Sequence, residues 1–305
     1  MPIFLGIDGG GSQTACVVGD ETSILGNGTS GPSNLVRVGE QRAREALHES
    51  MRAACAAAGI DAGKINHVCV GLAGAARPEI SDTVRRIVAE IVPIPVQIVG
   101  DMVTAMQAAF ADGPGVIIVA GTGSIAYGRN AAGETARVGG WGFQISDEGS
   151  GHWIGRRAIT QVMRAQDEEE ACASNLGAKI LKAWKLGNFE ELIPVANRTP
   201  SPDFAQLFVT VLCAADAGDP LARAVLTEAG TELARLGKLA INKIFSSSER
   251  VPVAMAGGVF RNSALVRQVF YNGLRSACLN ANISSTIVEP VKGALELARR
   301  RAAAK

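Results

Sequence analysis

The chain is poor in the features that mark membrane proteins and nucleic-acid-binding proteins. Its 305 residues include 30 basic and 29 acidic ones, so the formal net charge is only +1. No basic field is available to attract a phosphate backbone, and no apolar stretch approaches the length that a bilayer requires. The N-terminus also lacks a charged segment followed by a long apolar run. The composition therefore predicts a cytoplasmic protein that binds neither membranes nor nucleic acid.

Metal-binding residues are equally sparse. The six cysteines are scattered without a C-x-x-C pair, and the three histidines are dispersed. Neither residue type shows the spacing of zinc ligands, so we expect most of the cysteines to be small buried hydrophobic residues. The Walker A pattern that ends in Gly-Lys-Ser/Thr is also missing, which argues against a P-loop NTPase.

What the chain does have is three glycine-rich stretches, each of which follows a short apolar run. They are residues 8–14 (Asp-Gly-Gly-Gly-Ser-Gln-Thr), 120–124 (Ala-Gly-Thr-Gly-Ser) and 256–262 (Ala-Gly-Gly-Val-Phe-Arg-Asn). Each would lie where a buried strand ends and the backbone turns sharply, so that peptide N–H groups can approach a phosphate. An isolated glycine turn is more often an ordinary hairpin. Asp8 changes this weighting, because a carboxylate beside hydroxyl groups suits hydrated Mg²⁺ next to a triphosphate.

The remaining pattern predicts one α/β unit that is used twice. Residues 3–30 indicate a hairpin meander, residues 39–58 a helix, and residues 68–72 and 96–99 apolar strands on either side of a second helix. From Gly115 the chain repeats a strand, a glycine turn and two further strands. Continuous apolar strands between helices indicate sheets that are covered on both faces. A chain of this length usually forms two domains.

The order of these blocks resembles that of the actin, hexokinase and sugar-kinase superfamily. Within it, the chain is similar to the N-acetylglucosamine kinases and the related BadF/BadG/BcrA/BcrD ATPases, from residue 3 to residue 298. Besides the three glycine-rich stretches, the matching blocks are Gly100-Asp101, Gly139-Gly140-Trp141-Gly142 and Ser146-Asp147-Glu148-Gly149-Ser150. The last two blocks point to the amino-sugar kinase branch.

This resemblance implies an α/β fold with two similar ribonuclease H-like (actin-like ATPase) domains around a central cleft. We expect residues 1–113 and 289–305 to form the first domain, with a C-terminal helix that packs back onto it. Residues 114–288 would form the second domain, with a helical insertion at residues 167–203. The acidic run from Asp167 to Glu170 is interpreted as a solvated helix face.

The resemblance also implies which residues would bind Mg²⁺ and ATP. Asp8 would hold the hydrated metal, Ser12 and Thr122 would contact the phosphates, and the turn at Gly257 would face the adenosine. The nucleotide-binding residues predicted in this way are Gly10, Gly11, Ser12, Thr14, Gly121, Thr122, Gly123, Gly257, Gly258 and Asn262.

Asp101 is the predicted catalytic base. Phosphoryl transfer needs positioning, a metal charge and a carboxylate that takes the proton of the acceptor hydroxyl. Asp101 ends the apolar run that begins at Val96, which places it at the carboxyl edge of a sheet, where ligands bind in open α/β folds. The alternative is an N-cap of the helix that begins near Met102. The resemblance favours the catalytic role.

The resemblance assigns the sugar to Asn34, Asp101, Gly139, Gly140, Trp141 and Asp147. Asn34 and Asp147 match the family's sugar-contacting asparagine and aspartate, and both can bond to ring hydroxyls. A turn-forming Asn34 and a helix-capping Asp147 are the alternatives. Leu35 stands where animal N-acetylglucosamine kinases have a histidine, which leaves N-acetylglucosamine, glucosamine and other hexosamines open.

The predicted function is an ATP-dependent kinase that transfers the γ-phosphoryl group to the 6-hydroxyl of an amino sugar, with N-acetylglucosamine as the first choice. ATP and Mg²⁺ are the expected cofactors, and a homodimer is a possible assembly. Two other classes stay open. An activator ATPase of the BadF/BcrA kind is disfavoured by the scattered cysteines, and a nucleotide-binding sensor without catalysis is disfavoured by the presence of both Asp8 and Asp101.

Overall fold

The computed structural model describes residues 1–75, 77–168 and 174–303. The chain divides into two compact units. Unit 1 comprises residues 1–117 and the C-terminal segment that begins at Val288, and unit 2 comprises residues 118–287.

Unit 1 is built on a five-stranded sheet with the order β3-β2-β1-β4-β5. The first three strands form an antiparallel meander, whereas β4 and β5 join it in parallel. The strands are β1 (Ile3–Gly9), β2 (Thr14–Gly19), β3 (Ile24–Ser30), β4 (Ile65–Leu72) and β5 (Val96–Gly100). The meander and both parallel strands agree with the sequence prediction.

Helices cover both faces of this sheet. They are α1 (Leu35–Ala58), α2 (Pro78–Ala89), α3 (Asp101–Phe110) and α11 (Pro290–Ala303). Leu5 and Ile7 of β1 point to a core shared with Leu47 of α1 and Ile87 of α2. Phe4, on the opposite face because side chains alternate along a strand, packs with Leu295 of α11. The C-terminal helix therefore packs onto the first sheet.

The second sheet repeats the strand order of the first. Its order is β10-β9-β6-β7-β8, and if β6 is counted as the first strand, both sheets read 3-2-1-4-5. Its strands are β6 (Gly115–Ala120), β7 (Ser124–Arg129), β8 (Thr135–Gly139), β9 (Val251–Ala256) and β10 (Ala281–Val288). The predicted α/β class and the predicted duplication are thus confirmed.

Among the described residues, unit 2 has seven α-helices and unit 1 has four. Those of unit 2 are α4 (Gly151–Asp167), α5 (Leu176–Trp184), α6 (Phe189–Ala196), α7 (Leu207–Asp216), α8 (Pro220–Ile244), α9 (Gly258–Asn262) and α10 (Ala264–Ala277). The chain breaks between α7 and α8, where the Asp219 side chain caps α8 and Pro220 is its first residue. Within the weakly periodic stretch 167–203, α5 and α6 are helical.

Residues 169–173 lie outside the described residues, and they include Glu169 and Glu170 of the acidic run as well as Cys172. Of the other cysteines, Cys213 is exposed and the rest are buried. Burial raises the pKa of Cys69 to about 12. In the described parts of the chain, no helix by itself has both the length and the hydropathy to cross a bilayer, although α7 with its preceding turn and α8, bent by 117°, reach both as a pair.

Candidate functional site

Two carboxylates lie at the same edge of the first sheet. β1 ends at Gly9, β4 at Leu72 and β5 at Gly100, and these three residues are paired in register across the sheet. Asp8 is the penultimate residue of β1, and Asp101 follows β5 directly. Two strand spacings separate β1 from β5, which is roughly 10 Å between backbones. A phosphoryl group and an acceptor hydroxyl fit within that span.

Asp101 is the first residue of α3 and not its N-cap. The N-cap position belongs to Gly100, which has no side chain to offer, and Asp101 Oδ1 accepts a hydrogen bond of 3.0 Å from the Met102 N–H. A carboxylate in the first turn also interacts favourably with the helix dipole. Asp101 therefore also stabilises α3, but from the first helical position and not from the N-cap position that the alternative predicted.

Close packing fixes the first turn of α3 from two sides. The Thr104 hydroxyl donates to Asp101 O over 2.8 Å. A Cβ on Gly71 of β4 would lie 2.5 Å from Thr104 Oγ1, and a Cβ on Gly293 of α11 would lie 2.0 Å from Thr104 O. Both glycines thus allow contacts that place Asp101. Sequence reasoning missed this support, because the partners are far apart along the chain.

The first glycine loop is closed by its own backbone. The Gly10 N–H donates to Gln13 O over 3.0 Å, and Gly10 O accepts from the N–H groups of Ser33 and Asn34. A Cβ on Gly10 would lie 2.6 Å from Gln13 O, so glycine is required there for space, and its φ is not positive. The loop that would face phosphate and the loop that would face sugar are therefore joined at one carbonyl.

The Thr14 hydroxyl, which was predicted to contact the nucleotide, makes hydrogen bonds within the protein instead. Thr14 is fully buried, and its Oγ1 lies 2.8 Å from both Gly31 O and Ser33 Oγ. The hydroxyl braces the loop before Asn34. This role depends on residues 31–33 folding back over β2, which no local pattern reveals.

Asn34 occupies the N-cap position of α1, but its side chain does not cap the helix. Its buried Oδ1 has no hydrogen-bond partner among the described residues. An unpaired buried acceptor is costly, by about 1–3 kcal/mol, and such groups are uncommon in folded proteins. A ligand hydroxyl that donates to Oδ1 would remove that cost.

In unit 2 the second glycine turn is tied to the start of α4. The Gly121 N–H donates to Gly123 O, and the N–H groups of Gly151 and His152 donate to the carbonyls of Gly121 and Thr122. Apart from its chain neighbours, no atom of the described residues lies within 4 Å of the position that a Cβ on Gly121 would occupy, and the φ of Gly121 is not positive. No contact within the described part of the chain explains this glycine, whereas close approach of a ligand to the backbone would require it.

The third glycine turn lies beside the second. Gly257 has a φ of 98°, and a Cβ on it would lie 2.3 Å from Ala120 O at the end of β6. Gly258 begins α9, and the predicted ligand residue Asn262 donates from Nδ2 to Gly258 O over 2.8 Å. The ends of β6 and β9 thus bring both turns to one edge of the second sheet, as the apolar runs before them predict.

Asp147 is a buried carboxylate with an unusual backbone. Its φ is 66°, its exposed fraction is 8%, and the N–H groups of Ser124 and Gly142 hydrogen-bond to it. Burial raises the pKa of Asp147, although those two hydrogen bonds act in the opposite direction. The cap of α4 is the Ser150 hydroxyl, so the helix-capping alternative for Asp147 is wrong.

The loop between Gly139 and Ser146 presents apolar side chains to solvent. Gly139, Gly140 and Gly142 all have positive φ values, between 69° and 101°. Trp141 is 65% exposed and Ile145 80% exposed. Exposed aromatic and aliphatic groups in a glycine-rich loop are typical of a recognition surface.

Known proteins match this chain over almost its whole length. The model of the BadF/BadG/BcrA/BcrD ATPase family matches residues 5–298. The N-acetylmuramic acid/N-acetylglucosamine kinase of Clostridium acetobutylicum is 31% identical over 98% of this chain and 99% of its own length. The N-acetyl-D-glucosamine kinase of Dictyostelium discoideum is 31% identical, with 97% of each chain covered. A crystal structure from Chromobacterium violaceum superposes with a TM-score of 0.73 at 26% identity, covering 98% of this chain and 99% of the other.

Proposed function

Since the chain belongs to the BadF/BadG/BcrA/BcrD ATPase family, we propose that it transfers the γ-phosphoryl group of ATP to the 6-hydroxyl of an amino sugar, with N-acetylglucosamine as the preferred substrate. The enzyme class predicted from the sequence, an ATP-dependent sugar kinase, is confirmed by curated relatives that match nearly all of the chain. The position of phosphorylation and the identity of the sugar are the proposal.

The observation that carries the proposal is the pair of carboxylates at the carboxyl edge of the first sheet. Asp101 would accept the proton of the sugar hydroxyl as the phosphoryl group arrives. The Asp8 oxygens suit a hard cation, so Asp8 would hold a hydrated Mg²⁺ that neutralises charge on the phosphates. The contacts around Gly71 and Gly293 keep the Asp101 turn from moving during this step.

The nucleotide would be held by the open glycine turns. A Cβ on Gly121 or Gly258 would have free space among the described residues. The nearest atom, Asn262 Nδ2, would lie 3.9 Å from the Cβ on Gly258. Thr122 lies between Gly121 and Gly123, where its hydroxyl and N–H would face the phosphates. Ser12 is exposed in the first loop, where its hydroxyl would face a phosphate.

The sugar would be held by groups that the fold leaves ready for a ligand. Asn34 offers a buried acceptor without a partner, Asp147 offers a carboxylate, and Trp141 offers an exposed aromatic ring. Acceptors suit the hydroxyls of a sugar, and an aromatic ring suits its apolar face. The neutral N-acetyl group is compatible with this set.

Turnover should be measured with ATP and a panel of N-acetylglucosamine, glucosamine, N-acetylmuramic acid, N-acetylmannosamine and glucose. We expect the highest kcat/KM with N-acetylglucosamine, loss of turnover after chelation of Mg²⁺ and recovery on its return. The phosphorylated carbon should be identified by phosphorus–proton NMR, with 6-deoxy-N-acetylglucosamine as the matched acceptor that cannot react. A phosphate on the anomeric oxygen would contradict the 6-hydroxyl assignment, and ATP hydrolysis without any sugar phosphate would contradict the kinase.

A further inference from the structure

One arginine that the sequence did not single out contacts the first three residues of the exposed glycine-rich loop. Arg137 lies on β8, an edge strand in which exposed and buried residues alternate. Its Nε donates to Gly139 O over 3.2 Å, and its Nη2 donates to Gly140 O. Its Cζ lies 4.4 Å from the centroid of the Trp141 ring. A single guanidinium thus touches three consecutive residues of the loop.

The backbone of this loop needs contacts that hold it in one conformation. Gly139 and Gly140 have φ values of 71° and 69°, and two adjacent glycines have more conformations to lose than any other pair. One side of the pair is already fixed, because a Cβ on Gly140 would lie 2.8 Å from Ile125 Cδ1. The planar fork of Arg137 fixes the other side by binding both carbonyls, which a lysine ammonium on its flexible stem matches poorly.

Trp141 is held in one orientation while staying open to solvent. The guanidinium lies over the ring, a geometry that is stabilised by attraction between a cation and an aromatic face. The residue is still 65% exposed, so much of the ring surface is available to a ligand. An exposed aromatic ring that is pre-oriented loses little entropy when a ligand stacks on it.

We propose that Arg137 is a positioning residue for the amino sugar, and this inference rests on the proposed function. Arg137 acts through its neighbours: it sets the direction of the Gly139–Gly140 backbone and presents the Trp141 ring to the apolar face of the pyranose. It plays no part in the proton or phosphoryl transfer. Its loss therefore weakens sugar binding and leaves nucleotide binding and the chemical step in place.

The test compares Arg137→Lys with Arg223→Lys, an exposed arginine on α8 of the same unit. For Arg137→Lys we expect the KM for sugar to rise by about tenfold, because the planar stacking and the paired hydrogen bonds are lost while the charge is kept. The KM for ATP, kcat at saturating sugar and Tm should stay close to those of the parent. Arg223→Lys should leave all four values unchanged. Arg137→Gln, which also loses the charge, should raise the sugar KM at least as much.

Tryptophan fluorescence independently tests whether Arg137 shields the Trp141 ring. Acrylamide quenching of Trp141, taken as the difference from the same protein with Trp141→Phe, should increase in Arg137→Lys because the guanidinium no longer shields the ring. An unchanged sugar KM in a protein that phosphorylates amino sugars would overturn the role of Arg137 alone. Equal losses for sugar and ATP would also overturn it, since they indicate general disruption. A parent protein that phosphorylates no amino sugar would overturn the proposed function, and the inference with it.

Discussion

The two units have the same strand order, but the glycines around the two carboxylates of unit 1 and those around Trp141 in unit 2 are needed for different reasons. Around the site residues of unit 1, Gly10, Gly71 and Gly293 have ordinary φ values, and each would bring a Cβ within 2.6 Å of another atom. In unit 2, Gly139 and Gly142 have positive φ, and around Gly142 the space is open. Unit 1 thus depends on close packing that fixes two carboxylates at strand ends. Unit 2 depends on left-handed backbone in the exposed loop that we propose to bind the sugar.

The largest effect should be the loss of kcat when Asp101, the proposed catalytic base of unit 1, is replaced. Asp101→Asn keeps an oxygen that can accept from the Met102 N–H, but it cannot take a proton near neutral pH. We expect kcat to fall by about a hundred- to ten-thousand-fold, with a stability loss below about 1 kcal/mol. Asp61→Asn is the matched control, because Asp61 also accepts a backbone N–H at a helix start, before β4 rather than after β5. It should keep the parental kcat. A folded Asp101→Asn enzyme within threefold of the parent would remove the catalytic assignment.

The packing of unit 1 is tested next by Gly293→Ala. The new methyl would overlap Thr104 O and the Ala108 N–H, so α11 must move away from α3. Overpacking of this kind typically costs about 1–3 kcal/mol, and we expect both the free energy of unfolding and kcat to fall. Gly237→Ala in α8 is the helical control in unit 2, since its nearest neighbour would be the flexible end of Leu274 at 3.3 Å. Urea denaturation should show a clear loss for the first variant only. Equal stabilities would mean that unit 1 does not depend on this contact.

The need for a left-handed backbone in the unit 2 loop is tested by two glycines, one with positive φ and one without, that both have room for a Cβ. Gly142 has a φ of 101°, whereas Gly31 of unit 1 has no positive φ. Apart from its chain neighbours, neither glycine would bring a Cβ within 4 Å of an atom of the described residues. Gly142→Ala should cost about 1–2 kcal/mol of backbone strain and raise the KM for sugar. Gly31→Ala should leave the free energy of unfolding almost unchanged. Identical behaviour of the two variants would show that handedness is not what the loop requires.

The smallest effects should be on the pH dependence of Tm, which substitution of two aspartates should change in opposite directions. Burial raises the pKa of Asp147 in unit 2, so its contribution to stability is present at low pH and is lost as the pH rises through the raised pKa. Hydrogen bonds from the N–H groups of Thr22 and Ser23 lower the pKa of Asp20 in unit 1, so its contribution is lost as the pH falls. Relative to the parent, the Tm of Asp147→Asn should rise as the pH increases from about 4 to about 7, and that of Asp20→Asn should fall as the pH increases from about 2 to about 5. Slopes of the same sign would contradict this difference.

Local sequence patterns predicted the positions of the site residues better than their bonding partners. Apolar runs that end in glycine located the turns after β1, β6 and β9, because strand burial and glycine turns leave a short-range signal. The partners of Thr14 could not be predicted, because they lie in a loop that folds back from residues 31–33. β10 was missed since its sequence, Ala-Asn-Ile-Ser-Ser-Thr-Ile-Val, is largely polar and partly exposed.

We propose a division between catalysis by Asp101 in unit 1 and sugar binding by Asp147 in unit 2. Calorimetry on Asp101→Asn and Asp147→Ala tests it most directly, with N-acetylglucosamine and a non-hydrolysable ATP analogue as the titrated ligands. We expect Asp101→Asn to bind both ligands nearly as the parent does, although it is almost inactive. Asp147→Ala should bind the nucleotide normally and lose roughly ten- to hundred-fold in sugar affinity, because it lacks a charged acceptor. Unchanged sugar affinity in Asp147→Ala, or loss of both ligands in Asp101→Asn, would contradict the division.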